Sequence, residues 1–87
     1  MTAKQSFTAE EARSIAATIG IHWEEVPFDP EQFRMGLDVE LEHGRHNPMT
    51  NVTDDDPTVT GKIVLAHLKE LPDYYDRMAR MESEAGS

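Results

Sequence analysis

The chain has 87 residues, no cysteine, and 17 acidic against 8 basic residues, for a formal charge of −9. That is the size of one small domain, without disulfides, and its scattered Lys and Arg residues exclude the contiguous basic surface that a nucleic-acid backbone requires. Leu, Ile, Val and Phe together make up only 17 of the 87 residues, which with the charge puts the composition at the boundary of disorder and predicts a thin core.

No run approaches the roughly 18 apolar residues of a membrane-spanning helix. The segment Met1 to Phe7 has neither the cationic start nor the apolar core of a signal peptide, so the expectation is a cytoplasmic protein with no membrane contact. One domain over residues 1–87 is expected, with an ordered core over about 7–82 and frayed ends. So small a chain gains from a metal or a second subunit, which keeps a homo-oligomer in view. The charge is unevenly spread: residues 1–23 sum to zero, 24–56 to −8, 57–81 to +1 and 82–87 to −2. Such a central acidic stretch suits a solvated surface, a basic protein surface as partner, or cation coordination.

Four helix starts follow one another. Thr8 with Glu11 forms a capping box and Gly20 a stop, giving a first helix over about 9–19 with Ala12, Ile15, Ala16 and Ile19 on one stripe. Ile21 to Phe28 carries Trp23, Val26 and Phe28 without a clean period, and Pro27 forbids a continuous helix, so it reads as a packed connector. Asp29 as cap, Pro30 at the first helical position and Gln32 at the capping-box position open a second helix over about 30–43, ended by Gly44. Residues 45–53 form a polar loop. Asp54, Asp55 and Asp56 before Pro57 begin a third helix, where their carboxylates cap free N–H groups; it reaches about Leu71. Pro72 interrupts, and a short fourth helix over about 73–81 places Tyr74, Met78 and Met81 on one side, with a frayed tail after it. The expected fold is all-α: a compact four-helix domain whose second and third helices form the central antiparallel pair.

On a helical wheel at about 100° per residue four polar residues fall inside apolar arcs. Glu40 and His43 lie among Phe33, Met35, Gly36, Leu37, Val39 and Leu41, and His67 and Glu70 among Val59, Ile63, Val64, Ala66, Leu68 and Leu71. Glu40-x-x-His43 and His67-x-x-Glu70 put each pair on one helix face, so an antiparallel pairing brings four polar groups together. A buried carboxylate must be paired, metal-bound or protonated. Two readings stay open: a Glu–His hydrogen-bonded cluster that specifies how the helices pair, or a divalent metal site for Zn, Fe or Mn, Glu-x-x-His being a unit of di-iron bundle sites. With two Glu and two His, one chain supplies ligands for a single metal, or for half of a dinuclear site shared by two chains.

The remaining candidates are weaker. His22 and His46 lie in connectors and read as exposed, His46 being near enough to His43 to supplement it. Tyr74 and Tyr75 read as core and edge aromatics whose hydroxyls are available to Glu70 or another buried acid. Asp54 to Asp56 lacks the Gly and Glu of a calcium loop, Gly61-Lys62 lacks the rest of a phosphate loop, and Asn51-Val52-Thr53 is a glycosylation sequon without meaning unless the chain is secreted. No Cys is present and no Ser stands beside a His and an acid, so a nucleophilic triad has no support.

The strings Glu31-Gln32-Phe33, Val39-Glu40-Leu41-Glu42-His43-Gly44, Thr50-Asn51-Val52-Thr53-Asp54-Asp55-Asp56, Thr60-Gly61-Lys62-Ile63, Ala66-His67-Leu68 and Leu71-Pro72-Asp73-Tyr74-Tyr75 resemble a small domain of unknown function found in bacteria and their phages. The resemblance covers about residues 7–82 and implies a domain that stands alone at this size. It carries no catalytic role onto any residue. Two functions therefore compete: a non-enzymatic interaction or accessory module, and a metalloprotein, with or without catalysis, centred on Glu40, His43, His67 and Glu70.

Overall fold

The computed structural model describes residues 6–44 and 47–85, and among them all regular structure is helical. Four α-helices, α1 (Ala9–Thr18), α2 (Pro30–Glu40), α3 (Pro57–Glu70) and α4 (Tyr74–Ala85), are joined with two short 3-10 turns at Trp23–Glu25 and Leu41–His43. As expected, α2 and α3 form the central antiparallel pair; α1 packs across both, and α4 packs on α2. No described helix is long and apolar enough to cross a membrane.

The helix ends follow from local chemistry. The Thr8 hydroxyl accepts the Glu11 N–H at 3.1 Å while the Thr8 N–H donates to Glu11 Oε1 at 2.9 Å, completing the capping box. At the other end of α1, Gly20 takes φ +86°. Its N–H donates to the Ala17 carbonyl and the Ile21 N–H to that of Ala16, a Schellman closure that also buries Ile21. Asp29 caps α2 through the Gln32 N–H at 2.9 Å. The reciprocal bond expected of Gln32 is not made, its Oε1 being buried without a partner. The helix ends at Glu40 rather than 43, because its last turn tightens into the 3-10 turn and Gly44 N–H donates to Leu41. At α3 only Asp56 caps, accepting Thr58 and Val59 N–H at 2.9 and 3.3 Å. Asp54 and Asp55 instead take left-handed backbone, φ +51° and +60°, and turn the chain into the helix. The fourth helix does not fray after Met81 but continues to Ala85.

Phe33, Leu37, Val64, Leu68 and Tyr75 centre the core, and the connector packs on it as expected, Trp23 meeting Phe28 and Phe33 edge-on at 6.1 Å. The polar face of α2 ties down the N-terminal segment: Asp38 accepts the Phe7 N–H at 2.7 Å and Arg34 at 3.0 Å. The expected face of α3 needs correction. Its buried residues are Thr60, Gly61, Val64 and Leu68, whereas Val59 and Ala66 are exposed. A count of large apolar side chains misplaces the phase, because α1 packs on α3 at its smallest residue: a Cβ on Gly61 would lie 2.7 Å from Ile15 Cγ2. Thr60 tolerates burial because its hydroxyl donates to the Asp56 carbonyl at 2.9 Å.

Candidate functional site

Where α2, α3 and α4 meet, one buried carboxylate organises the polar groups. Gly36 and Glu40 are one turn apart on α2. A Cβ on Gly36 would lie 2.5 Å from both Tyr75 Cε2 and Val64 Cγ1, so the missing side chain is what admits the Tyr75 ring to the α2 backbone. One turn on, the Tyr75 hydroxyl donates to Glu40 Oε1 at 3.2 Å. Both residues are deeply buried, Tyr75 at 1% exposure and Glu40 at 3%.

His67 approaches from α3. Its Nδ1 lies 3.0 Å from the Tyr75 hydroxyl and 3.2 Å from Glu40 Oε1. Because the hydroxyl gives its only proton to the carboxylate, both atoms facing Nδ1 are acceptors, which selects the imidazole form carrying hydrogen there. The ring stacks on Tyr74 with centroids 4.6 Å apart. Burial first, and the Glu40 carboxylate second, push the Tyr75 phenol well above the usual tyrosine range. The second oxygen, Glu40 Oε2, is buried without a hydrogen-bond partner. His43 Nε2 stands 3.6 Å from it, on a side chain that is half-exposed.

Three of the four expected residues thus converge. Glu70 does not: it is exposed and takes no part in the hydrogen bonds of the cluster. With Val64 at the centre of the α3 buried face, about 100° per residue puts Glu70 some 120° away and His67 about 60°, at the rim. Tyr75 takes the place expected of Glu70, in line with a tyrosine hydroxyl serving a buried acid other than Glu70. Its signal in the sequence was Gly36, a small residue one turn before a buried Glu on a helix that must receive an aromatic. Among the other candidates, His22 is exposed as expected and His46 lies outside the described residues.

Chemically, the arrangement holds three helices in one register by directional bonds and leaves His67 Nε2 without a role in the cluster. Among the described residues no group of three or more His, Cys, Asp or Glu side chains is arranged to hold a metal ion. His43 also lines a shallow cleft of about 320 Å³ with Glu42, Asn47 and Thr50. No curated protein and no solved structure matches the chain. The family model for proteins of unknown function DUF5661 matches residues 12–84, and the chain belongs to that family.

Proposed function

We propose that the domain is a non-enzymatic interaction module that meets a basic protein surface, with the Glu40–Tyr75–His67 cluster fixing α4 on the α2/α3 pair. The observation that carries this reading is the closure of the cluster: Glu40 and Tyr75 are buried and bond to each other across helices, which serves helix pairing rather than substrate contact. The charge supports the choice of partner. Much of the central acidity is used internally, Asp29 and Asp56 as caps and Asp38 on Phe7, whereas Glu24, Glu25 and Glu42 are exposed and make no side-chain hydrogen bond or ion pair among the described residues. The test is a panel of peptides of matched apolar content whose net charge runs from negative to positive. Binding confined to the cationic end and weakened by salt is the expected result; binding indifferent to charge, or none, overturns it.

A second reading is a metal held by Glu40, His43 and His67, favoured by the unpartnered, buried Oε2 of Glu40 facing His43 Nε2. A metal bound only by the folded chain adds stability through mass action. This reading requires a lower melting temperature in chelator and recovery with zinc, manganese or ferrous iron, whereas the module reading requires a melting curve indifferent to both.

A further inference from the structure

We propose that His67 is an acyl-accepting nucleophile: the buried Glu40 carboxylate holds its Nδ1–H, and Nε2 attacks uncharged, activated acyl groups such as phenyl or thiol esters. The activity is independent of the acidic surface that the module reading uses.

An imidazole serves as a nucleophile when the attacking nitrogen is unprotonated, reachable and aimed. On a free side chain the hydrogen moves between both nitrogens and the ring turns. In this fold both freedoms are removed. Nδ1 faces two acceptors, Glu40 Oε1 at 3.2 Å and the Tyr75 hydroxyl oxygen at 3.0 Å, which keeps the hydrogen on Nδ1 and the lone pair on Nε2. Tyr74 lies against the ring, nearly parallel at 18° with centroids 4.6 Å apart, and Tyr75 meets it edge-on at 6.2 Å. Nε2 makes no hydrogen bond among the described residues and is open to solvent, on a side chain that is 34% exposed.

The carboxylate behind the ring sets His67 apart from the other described histidines. Acyl transfer to Nε2 leaves the hydrogen on Nδ1, so the acylated ring is a cation, and the buried Glu40 stabilises it where water screens the pair little. His22 is exposed and its side chain has no such partner among the described residues. His43 stands 3.6 Å from Glu40 Oε2, beyond hydrogen-bond reach.

The surroundings select the electrophile. One turn away along the chain are Ile63, Glu70 and Leu71, and Tyr74 and Tyr75 meet the ring from α4. Among these five only Glu70 is charged, so they offer no cation to the oxygens of a phosphoryl donor, and an anionic donor is repelled. An uncharged acyl carbon meets neither obstacle. As Nε2 adds to that carbon a C–N bond forms and the bond to the leaving oxygen or sulfur breaks, the phenolate or thiolate departing with the electron pair. Water then adds to the acyl carbon, the C–N bond returns its pair to Nε2, and a carboxylic acid leaves. The sum is ester plus water to acid plus phenol or thiol.

Diethyl pyrocarbonate, an uncharged activated acyl donor, tests this on the full wild-type chain at about pH 8, where an ordinary imidazole is neutral, with the modified histidines mapped by mass spectrometry. His67 should react ahead of the more exposed His22 by about tenfold, and the preference should vanish in urea. Equal or slower reaction at His67, or a preference that persists in urea, overturns the proposal. Nitrogen-15 spectra should place the imidazole hydrogen on Nδ1 of His67; hydrogen on Nε2 overturns it as well. Glu40→Gln keeps an acceptor oxygen and removes the charge, so it should slow His67 by about tenfold and leave His22 in the same molecule unchanged. An unaltered rate at His67 would mean that the carboxylate does not assist the attack. Acetyl phosphate, an anionic donor, should show no preference for His67, and a preference there overturns the choice of class. Hydrolysis of p-nitrophenyl acetate should fall in His67→Gln, with melting curves confirming the fold; a folded variant as active as the wild type overturns the activity. The cationic-peptide test of the module reading is unaffected by any of these results.

Discussion

At Gly61 the first helix meets the third through Ile15 Cγ2, and at Gly36 the fourth meets the second through the Tyr75 ring. Both contacts use the same device, a missing side chain that lets a neighbour reach the helix backbone. At Gly61 everything that enters is apolar, and dispersion and area burial tolerate sliding and rotation. At Gly36 the entering ring ends in a hydroxyl that must reach Glu40 Oε1 while His67 Nδ1 comes within 3.0 Å of it. That side has a single register. The polar cluster therefore orients α4, a helix with only one fully buried residue, which a purely apolar seam would leave free to turn.

The largest test of this difference removes one atom. Tyr75→Phe keeps the ring and deletes the donor to a buried carboxylate, at an expected cost of about 2 kcal/mol, read by urea denaturation. Ile15→Val, which trims Cδ1 on the apolar side and leaves the Cγ2 contact in place, should cost about 1 kcal/mol. In a domain with a total stability on the order of 5 kcal/mol, the two midpoints separate clearly. If Tyr75→Phe is no worse than Ile15→Val, the hydroxyl contributes nothing directional.

Filling the two glycines sharpens the contrast. Alanine gains about 1 kcal/mol of helix propensity over glycine, while overpacking a core costs about 1–3 kcal/mol. At Gly36 the new methyl meets both the Tyr75 ring and Val64 at 2.5 Å; at Gly61 the nearest atom is one Ile15 methyl at 2.7 Å. Gly36→Ala should be net destabilising by about 1–2 kcal/mol and should alter the near-ultraviolet circular dichroism of the tyrosines. Gly61→Ala should cost less and leave that signal unchanged.

These two glycines also mark where the sequence could and could not be read. Caps, stops and the all-α architecture depend on neighbours within four residues, so Thr8 with Glu11, Gly20, Asp29 and Asp56 were legible. Helix phase depends on which face a partner approaches, and α3 presents Thr60 and Gly61 where an apolar count expects bulk. That rotation put Glu70 inside and Val59 with it; both are exposed. Glu40 was legible because large apolar residues surround it on α2 and fix its phase. The partner it bonds, Tyr75, lies 35 residues away on a helix whose placement no local signal encodes.

Alkaline titration separates the two seams at a smaller scale. The folded Tyr75 phenol lies above its unfolded value near 10, so above that pH the unfolded chain releases a proton that the folded chain keeps. The unfolded state then binds fewer protons, and stability falls as pH rises, by at most about 1.4 kcal/mol per pH unit from this group. Below pH 10 its contribution is complete. Tyr75→Phe should lose this slope, and Ile15→Val should retain it. Equal slopes in the two variants would assign the alkaline loss to other groups.

The smallest effect concerns the start of α3, which sits on the Gly61 side. Asp56 accepts two N–H groups with one carboxylate oxygen, while its carbonyl takes both the N–H and the hydroxyl of Thr60, the residue before Gly61. Alanine here removes the side-chain cap and leaves the carbonyl bonds, at about 1 kcal/mol, or a fall in melting temperature of about 4–8 °C for a domain of this size. Asparagine should recover most of the loss, because the cap needs an acceptor rather than a charge. Hydrogen exchange locates the damage. Loss of the cap frays the first turn of α3, so protection should drop around Thr60 and Gly61, while amides near His67, held at the far end by the Tyr75 cluster, should open only with the whole domain. Uniform loss along α3 would mean that the two seams act as one unit, and that the separation drawn between them has no energetic counterpart.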